Sequence, residues 1–503
     1  MNFNTVEQWQ QFYNQGYRLL PIVLKQKISN FDPLVIMEKI RKNHEYYFIY
    51  ESGKIGRYTF IGYDPTHILK SKNNENIIFN KEKQEQFFKK DPLLALRGIM
   101  GKYQVPNIDN LPSFNGGAVG FLSYDMVNYF ENIPQMAKDD LQIPDLYFMV
   151  LDKLWIFDHH QQELYLVEYV NVQEQEDLIS VFAKKMAELE RTWNSSLLSE
   201  QHQQEATILA EPYSSTYKQN KVKTSFTKES FEKAVEKVQE YITAGDVFQV
   251  NLSVRQSRNL KVEGFDIYRH LRRINPSPYM GFMHFPDLQL VSSSPELLIQ
   301  IENGIIQTRP IAGTRPRGAN EQEDQLLVKE LIENEKEMAE HIMLVDLERN
   351  DLGRVCKFGS VEVNELMAVE KYSHVMHIVS NVIGKLDEKN DLYDAIKATF
   401  PGGTITGAPK IRTMEIIEEL EPVKRGPYTG SMGWIGFNGN LTLNILIRTL
   451  LVKDKQGHIQ AGAGIVIDSV PEKEYYESLK KAEAVWKAVE ASEVEYLLKQ
   501  QKE

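Results

Sequence analysis

Residues 227–253 read TKESFEKAVEKVQEYITAGDVFQVNLS. Thr227 is placed to cap a helix in which Phe231, Val235, Val238 and Ile242 recur every three or four residues, and Gly245 is placed to end it. From Asp246 to Ser253 the pattern becomes that of a strand. Downstream, strands and helices alternate to about Ala491, with helices expected from Gln322 to Met343 and from Pro471 to Val489. This predicts a large α+β or α/β core with extensive sheet. Upstream, residues 191–225 are polar, rich in serine and glutamine and weakly periodic, and read as a linker. Before them, from Tyr17 to Val170, short apolar runs such as Tyr47–Tyr50, Tyr147–Leu151 and Leu164–Val167 alternate with turn-rich segments, the pattern of a mostly β unit. The expected organisation is a first region over 1–190, a linker over 191–225, a second region over 226–492 and a polar tail over 493–503.

A chain of 503 residues with 42% hydrophobic content can bury a large core. Its formal charge of −12 and pI near 5.6 argue against a nucleic-acid partner, which calls for a basic surface. Cys356 is the single cysteine, so an internal disulfide and a multi-cysteine zinc site are excluded, and a reducing cytoplasmic setting is the natural expectation. Met1 to Gln10 lack the basic start and apolar run of a secretory signal, and no stretch reaches the roughly 18 apolar residues of a membrane span.

Two acidic pairs stand out. Glu337 and Glu340 lie three residues apart on one helix face, followed by His341; Glu474 and Glu477 repeat the spacing in a helix that Ser469-Val-Pro-Glu472 is placed to open as a capping box. Alone, such pairs are commonly solvated faces in a chain with 70 acidic residues. Two of them converging suit a magnesium ion, which takes few carboxylates, keeps waters and leaves room for an anionic ligand. Ala461-Gly-Ala-Gly464 lets a ligand approach backbone N–H groups, or marks a tight strand bend. Arg448 ends an apolar run and suits a forked contact to a carboxylate, or a surface ion pair.

Three loops rich in glycine, proline and hydroxyls, Ser292–Glu296, Thr308–Arg315 and Pro401–Lys410, are further places for function. The lysine of the last lacks the spacing of a nucleotide phosphate loop. No G-x-S-x-G elbow, zincin motif or glutaminase nucleophile is present.

In order along the chain, GDVFQVNLS, TRPIAGTRPRG, EHIMLVDLERNDLGRV, PGGTITGAPKIRTMEII, IRT and GAGIVIDSVPEKEYYES resemble the motif series of chorismate-utilising enzymes. Tyr50-Glu-Ser52 and Gly116–Tyr124 extend the resemblance into the amino-terminal half, which looks like that of anthranilate synthase and aminodeoxychorismate synthase large subunits. The resemblance implies antiparallel-rich sheets flanked by helices. It also implies that Glu340 and Glu477 hold Mg2+ while Glu337 and Glu474 hold its waters. Arg448, Tyr428 and the backbone of Gly462, Ala463 and Gly464 would grip the enolpyruvyl side of chorismate. His341 and Thr404 would lie near the departing ring hydroxyl, with Gly313 and Thr314 lining the pocket.

Where relatives that add water carry a lysine base this chain has Gln249, which points to ammonia rather than water as the nucleophile. Ala312 stands where many aminodeoxychorismate synthases have a lysine nucleophile and is the residue of anthranilate synthases. The longer stretches EKYSHVMHIVSNV and GDVFQVNLSVRQS look most like aminodeoxychorismate synthase large subunits. The resemblance therefore implies 4-amino-4-deoxychorismate as product, with anthranilate plus pyruvate as the alternative and a non-catalytic tryptophan-binding subunit as a reading of another class. A separate glutamine amidotransferase subunit would supply ammonia. In relatives a tryptophan pocket lies at the places of Ser52, Pro278, Tyr279 and Met280.

Overall fold

A computed structural model describes residues 5–51, 56–80, 85–174, 176–197, 222–372 and 375–501. Its frame is two sheets of twelve strands among those residues, with antiparallel pairing between the strands. The first runs Leu19–Lys27, Glu163–Asn171, Lys153–Asp158, Tyr58–Tyr63, Tyr47–Glu51, Tyr279–Phe285, Leu288–Ser294, Thr449–Lys453, Gln456–Ile465, Gln249–Asn259 and Lys223–Thr224, with Gly407–Ala408 beside Gln249–Asn259. The second runs Ile311–Pro316, Val375–Lys385, Ile305–Arg309, Leu297–Glu302, Leu441–Ile445, Ser431–Gly436, Gly117–Leu122, Leu146–Leu151, His67–Lys72, Glu75–Asn80 and Glu85–Lys89, with Glu362–Lys371 beside Val375–Lys385.

Both sheets cross the expected boundary between regions. Tyr47–Glu51 pairs with Tyr279–Phe285, and Gly117–Leu122 pairs with Ser431–Gly436, so the amino-terminal strands continue sheets that the carboxyl-terminal half begins. The strand Tyr47–Glu51 shows why: Phe48 and Tyr50 face the layer between the sheets, while Tyr47 and Ile49 face the helices outside. A strand apolar on both faces must be covered on both. Phe60, Phe121, Tyr147 and Trp434 fill the inter-sheet layer, and helices including Gly264–Ile274 and Glu483–Gln500 cover one outer face as Glu335–Gly353 and Leu392–Thr399 cover the other.

The helix read from residues 227–253 spans Lys228–Thr243, and Thr227 closes a capping box with Ser230. The strand starts three residues later than expected and continues to Asn259, because the Asp246 N–H bonds back to the Tyr241 carbonyl of the helix. The helix expected over 322–343 is two, Glu321–Glu333 and Glu335–Gly353; Asn334 interrupts them and caps the second through the Glu337 N–H at 3.1 Å. The helix expected over 471–489 likewise divides into Pro471–Lys480 and Glu483–Gln500. Its capping box does not form: the cap residue is Val470, and Ser469 Oγ accepts from the Val466 N–H instead.

Residues 191–197 of the expected linker finish the helix Leu178–Leu197, and 198–221 lie outside the described residues. The expected tail continues the last helix to Gln500, where buried Glu493 accepts from Arg258 and from the Lys261 N–H. No helix among the described residues is long and apolar enough to cross a membrane.

Candidate active site

The strand Gln249–Asn259 organises one wall. Its register sets Asn251, Leu252 and Ser253 opposite Gly464, Ala463 and Gly462, and its first residue sends Gln249 Nε2 to Glu340 Oε1 at 3.0 Å. A side chain on Gly464 would collide with Gln249 Nε2 at 2.3 Å, so the glycine gives that amide its place. The neighbouring strand Thr449–Lys453 pairs only as far as Ile459, short of the glycines. Ala463 turns its methyl into the apolar cluster of Val250, Leu252 and Ile465, which leaves only its backbone for a ligand.

The acidic pairs flank this wall. Glu337 accepts from Arg315 at 3.0 Å, and Glu340 holds Gln249. On the second helix, exposed Glu477 pairs with Lys481 at 2.9 Å, and Lys481 also donates to the Gly462 carbonyl. Burial raises the pKa of Glu474 above the usual carboxylate value, while Ser469 lowers it and Glu477 raises it further; Lys481 and Lys336, the latter from the first helix, oppose the rise. Each of Glu337, Glu340 and Glu477 therefore has a cationic or amide donor. No group of three or more acidic, histidine or cysteine side chains is gathered as a ready-made metal cluster among the described residues.

The other wall is drier. His341 is fully buried, its Nε2 2.6 Å from Ser380 Oγ, its Nδ1 without a partner, and burial pushes its pKa down to about 4. Ser380 Oγ also accepts from the Met367 N–H, which leaves its own proton for the imidazole. Glu296 is buried in the loop between the strands Leu288–Ser294 and Leu297–Glu302. Burial raises its carboxyl to about 7 against the opposing pull of Thr404, the Ile311 N–H and Arg448. Thr404 stands close enough to favour the charged form, yet neither Thr404 Oγ1 nor Glu296 Oε1 completes a hydrogen bond of normal geometry. Arg448, half-buried and at φ 50°, makes no side-chain hydrogen bond or ion pair among the described residues. Burial lowers its pKa, only partly offset by Glu296 and Tyr372.

Gly313 has φ 63°, and a Cβ there would lie 2.8 Å from Glu337 Oε2, which ties the loop to the first acidic pair. Thr314 Oγ1 is 3.0 Å from His377 Nδ1, and the Gly313 carbonyl is 3.2 Å from the same nitrogen. His377 is buried with Nε2 unpartnered, pushed down to about 4 by burial and then by Arg448. Tyr428 is half-buried, its ring 5.5 Å from the Arg425 guanidinium, and burial raises its hydroxyl.

Pro278 and Tyr279 line a cavity of about 170 Å3 with Pro295, Arg309, Glu370 and Tyr372. Met280 instead joins the buried cluster beneath the helices, and Ser52 lies outside the described residues. Arg309 is tied to Glu370 and, at 2.9 Å, to Glu365.

The chorismate binding enzyme family matches residues 45–487. The chain belongs to that family. It is 49% identical over 463 residues to aminodeoxychorismate synthase component 1 of Bacillus subtilis (strain 168), covering 91% of this chain and 94% of the relative. It is 42% identical over 480 residues to anthranilate synthase component 1 of Acetivibrio thermocellus, covering 95% and 96%. The crystal structure of anthranilate synthase component I from Streptococcus pneumoniae TIGR4 superposes with a TM-score of 0.74 at 34% identity, over 92% of this chain and 98% of the other. The mixed helix and antiparallel-sheet architecture expected of a chorismate binding enzyme is the one observed.

The structure brings Glu337, Glu340, Gly313 and Thr314 into one neighbourhood, and Glu296, Thr404 and Arg448 into another beside it. Sequence reasoning flagged the loop of Glu296 but gave the residue no role, and it passed over His377 and Ser380. For Glu296 the available signal was a lone acid after Ser-Ser-Ser-Pro between two apolar strands. A histidine and a serine inside the run Val375–Lys385 carry no comparable mark.

Proposed function

We propose that this chorismate binding enzyme joins chorismate and ammonia into 4-amino-4-deoxychorismate in the cytoplasm, with ammonia released from glutamine by a separate glutaminase subunit. The observation that carries the chemistry is the buried acid Glu296 beside Arg448, a cation without an ion pair among the described residues. The 49% identity with an aminodeoxychorismate synthase component supports the choice of product.

Arg448, unpaired among the described residues, would take a carboxylate in a forked contact, and Tyr428 and the backbone of Gly462 to Gly464 complete the grip on the enolpyruvyl side. Glu340 and Glu477 would hold Mg2+ and Glu337 and Glu474 its waters, an oxygen donor set suited to that ion once Gln249, Lys481 and Arg315 release it. Bound there, the ion supplies positive charge to the ring carboxylate. Burial raises Glu296 to about 7, which suits it to act as the general acid. It gives its proton to the C4 hydroxyl, the C–O bond breaks, and water leaves. Ammonia forms the new C–N bond with its lone pair, and the product departs as an ammonium that keeps its third proton. His341 and Thr404 orient the hydroxyl. Ala312 offers no nucleophile, so no covalent adduct forms at that position.

Ala312 also favours a second reading, anthranilate formation, as does the 42% identity with an anthranilate synthase component. Product analysis separates the two. The protein is mixed with chorismate, magnesium and ammonium at alkaline pH, with and without an aminodeoxychorismate lyase. 4-Aminobenzoate appearing only with the lyase is the expected result; fluorescent anthranilate and pyruvate without it would establish the second reading.

A further inference from the structure

Arg425 lies between the helix Lys410–Leu420 and the strand Ser431–Gly436, with its side chain almost wholly buried. Arginine carries five N–H donors in a rigid planar fork, and here every one of them is used. Nε and Nη2 grip the two oxygens of Glu421 at 3.0 and 2.8 Å. Nη2 also donates to the Asn251 carbonyl at 2.6 Å, while Nη1 donates to the Ile405 carbonyl at 3.0 Å and to Thr429 Oγ1 at 3.2 Å. Each of these last three acceptors adjoins a residue given to the substrate above: Asn251 is paired with Gly464 in the sheet, Ile405 follows Thr404, and Thr429 follows Tyr428. The frame closes on itself. Asn251 Nδ2 donates to the Thr404 carbonyl at 3.3 Å, and Glu421 Oε1 accepts from the N–H and the hydroxyl of Ser253, opposite Gly462, at 2.9 and 2.8 Å. The amino-terminal half adds two bonds to the next residue of the loop: the Tyr124 N–H donates to the Gly426 carbonyl at 2.7 Å, and Asp125 Oδ2 accepts from the Gly426 N–H at 3.2 Å.

We propose that Arg425 is a positioning residue that presents Tyr428 to chorismate. This inference rests on the role given to Tyr428 above. The guanidinium centre is 5.0 Å from the Tyr124 ring and 5.5 Å from the Tyr428 ring, so the cation braces the tyrosine directly as well as through the backbone. Thr429, buried beside it, holds φ 60°, a conformation that β-branched residues rarely adopt. Three bonds keep it there: its N–H donates to the Leu446 carbonyl at 2.8 Å, its hydroxyl donates to the Tyr428 carbonyl at 2.6 Å, and the same oxygen accepts from Arg425. A rigid fork fits one arrangement of Asn251, Ile405 and Thr429, so the tyrosine between them is set before substrate arrives and is not ordered at the expense of binding. A lysine would keep the charge opposite Glu421, but an ammonium with three donors cannot serve five acceptors, and it lacks the plane that lies against the rings.

The test measures the Kd of chorismate by calorimetry on the full chain, with magnesium and without ammonia, so that no amination takes place. Tyr428→Phe should weaken binding by about threefold, the effect of one lost hydrogen bond. Arg425→Lys should weaken it by about tenfold, and R425K/Y428F should bind no worse than R425K, because a tyrosine already out of place has nothing left to lose. In turnover, R425K should raise KM for chorismate by more than it lowers kcat. A merely structural loss would reduce the folded fraction, and with it kcat, while leaving KM in place. Wild-type binding by R425K, an unmoved KM, or losses that multiply in the double variant would overturn the proposal. If R425K does not fold, Thr429→Val removes one of the five acceptors and should weaken binding by about threefold, again without compounding with Y428F; a wild-type Kd for T429V overturns the proposal. Wild-type binding by Y428F alone would remove the tyrosine from the site and the proposal with it. Anthranilate as the product would overturn the choice of product and leave this comparison of Kd values standing.

Discussion

The helix Glu335–Gly353 carries acids at both ends, and the two ends differ in everything but residue type. At its start Glu337 and Glu340 are partly open to solvent and in contact with Arg315 and Gln249, across from Glu474 and Glu477. Two turns past His341, Glu348 is sealed under the strands near Glu296, and burial raises both carboxyls. A carboxylate that keeps access to water and to positive charge suits the holding of a cation, whereas a carboxyl cut off from water suits the holding of a proton.

The largest effect should come from the dry end. Glu296→Gln is expected to lower kcat by about a thousandfold, within the range of a lost general acid, and added magnesium should not restore it. With free ammonia held constant, kcat/KM of the wild type should fall as pH rises through about 7, because the acid must be protonated to act; E296Q should lack that limb. A full-rate E296Q would erase the distinction between the two ends.

The wet end should behave in the opposite way. Glu474→Gln removes a carboxylate expected to hold the waters of the ion, so the magnesium needed for half-maximal rate should rise by about 10–100-fold. Saturating magnesium should return kcat to near the wild-type value. A loss that no concentration of magnesium repairs would place Glu474 with the proton-handling acids.

How much of this was legible in the sequence follows the same division by depth. The helix from Thr227 was readable because capping and a 3.6-residue period are local, and the acidic pairs because spacing alone puts them on one face. The break at Asn334 was hidden by the apolar period running across it, and the failed capping box at Ser469 by a competing bond to Val466. The joining of both halves into common sheets was invisible, since partner choice between distant strands such as Tyr47–Glu51 and Tyr279–Phe285 leaves no local trace. The same holds for Glu296 and Glu348: what sets them apart is burial by elements far away in the chain. A resemblance to a family could single out the acids of the open end; the burial of Glu296 and Glu348 needed the third dimension.

The smallest expected effect is also the sharpest test of the wet wall, because it contrasts two glycines two residues apart. A methyl on Gly462 would lie 2.4 Å from the Leu252 backbone carbonyl, and a strand in mid-sheet cannot yield without disturbing its ladder. Gly462→Ala should therefore cost about 1–3 kcal/mol, read as a lower urea midpoint. A methyl on Gly464 meets only the end of the Gln249 side chain, which can swing away. Gly464→Ala should cost less than about 1 kcal/mol. Its consequence should appear at Glu340, freed from Gln249, as a shift in magnesium dependence with the urea midpoint nearly unmoved. If G464A instead unfolds as readily as G462A, the amide of Gln249 is fixed by more than its bond to Glu340, and the wall is as rigid as the buried end.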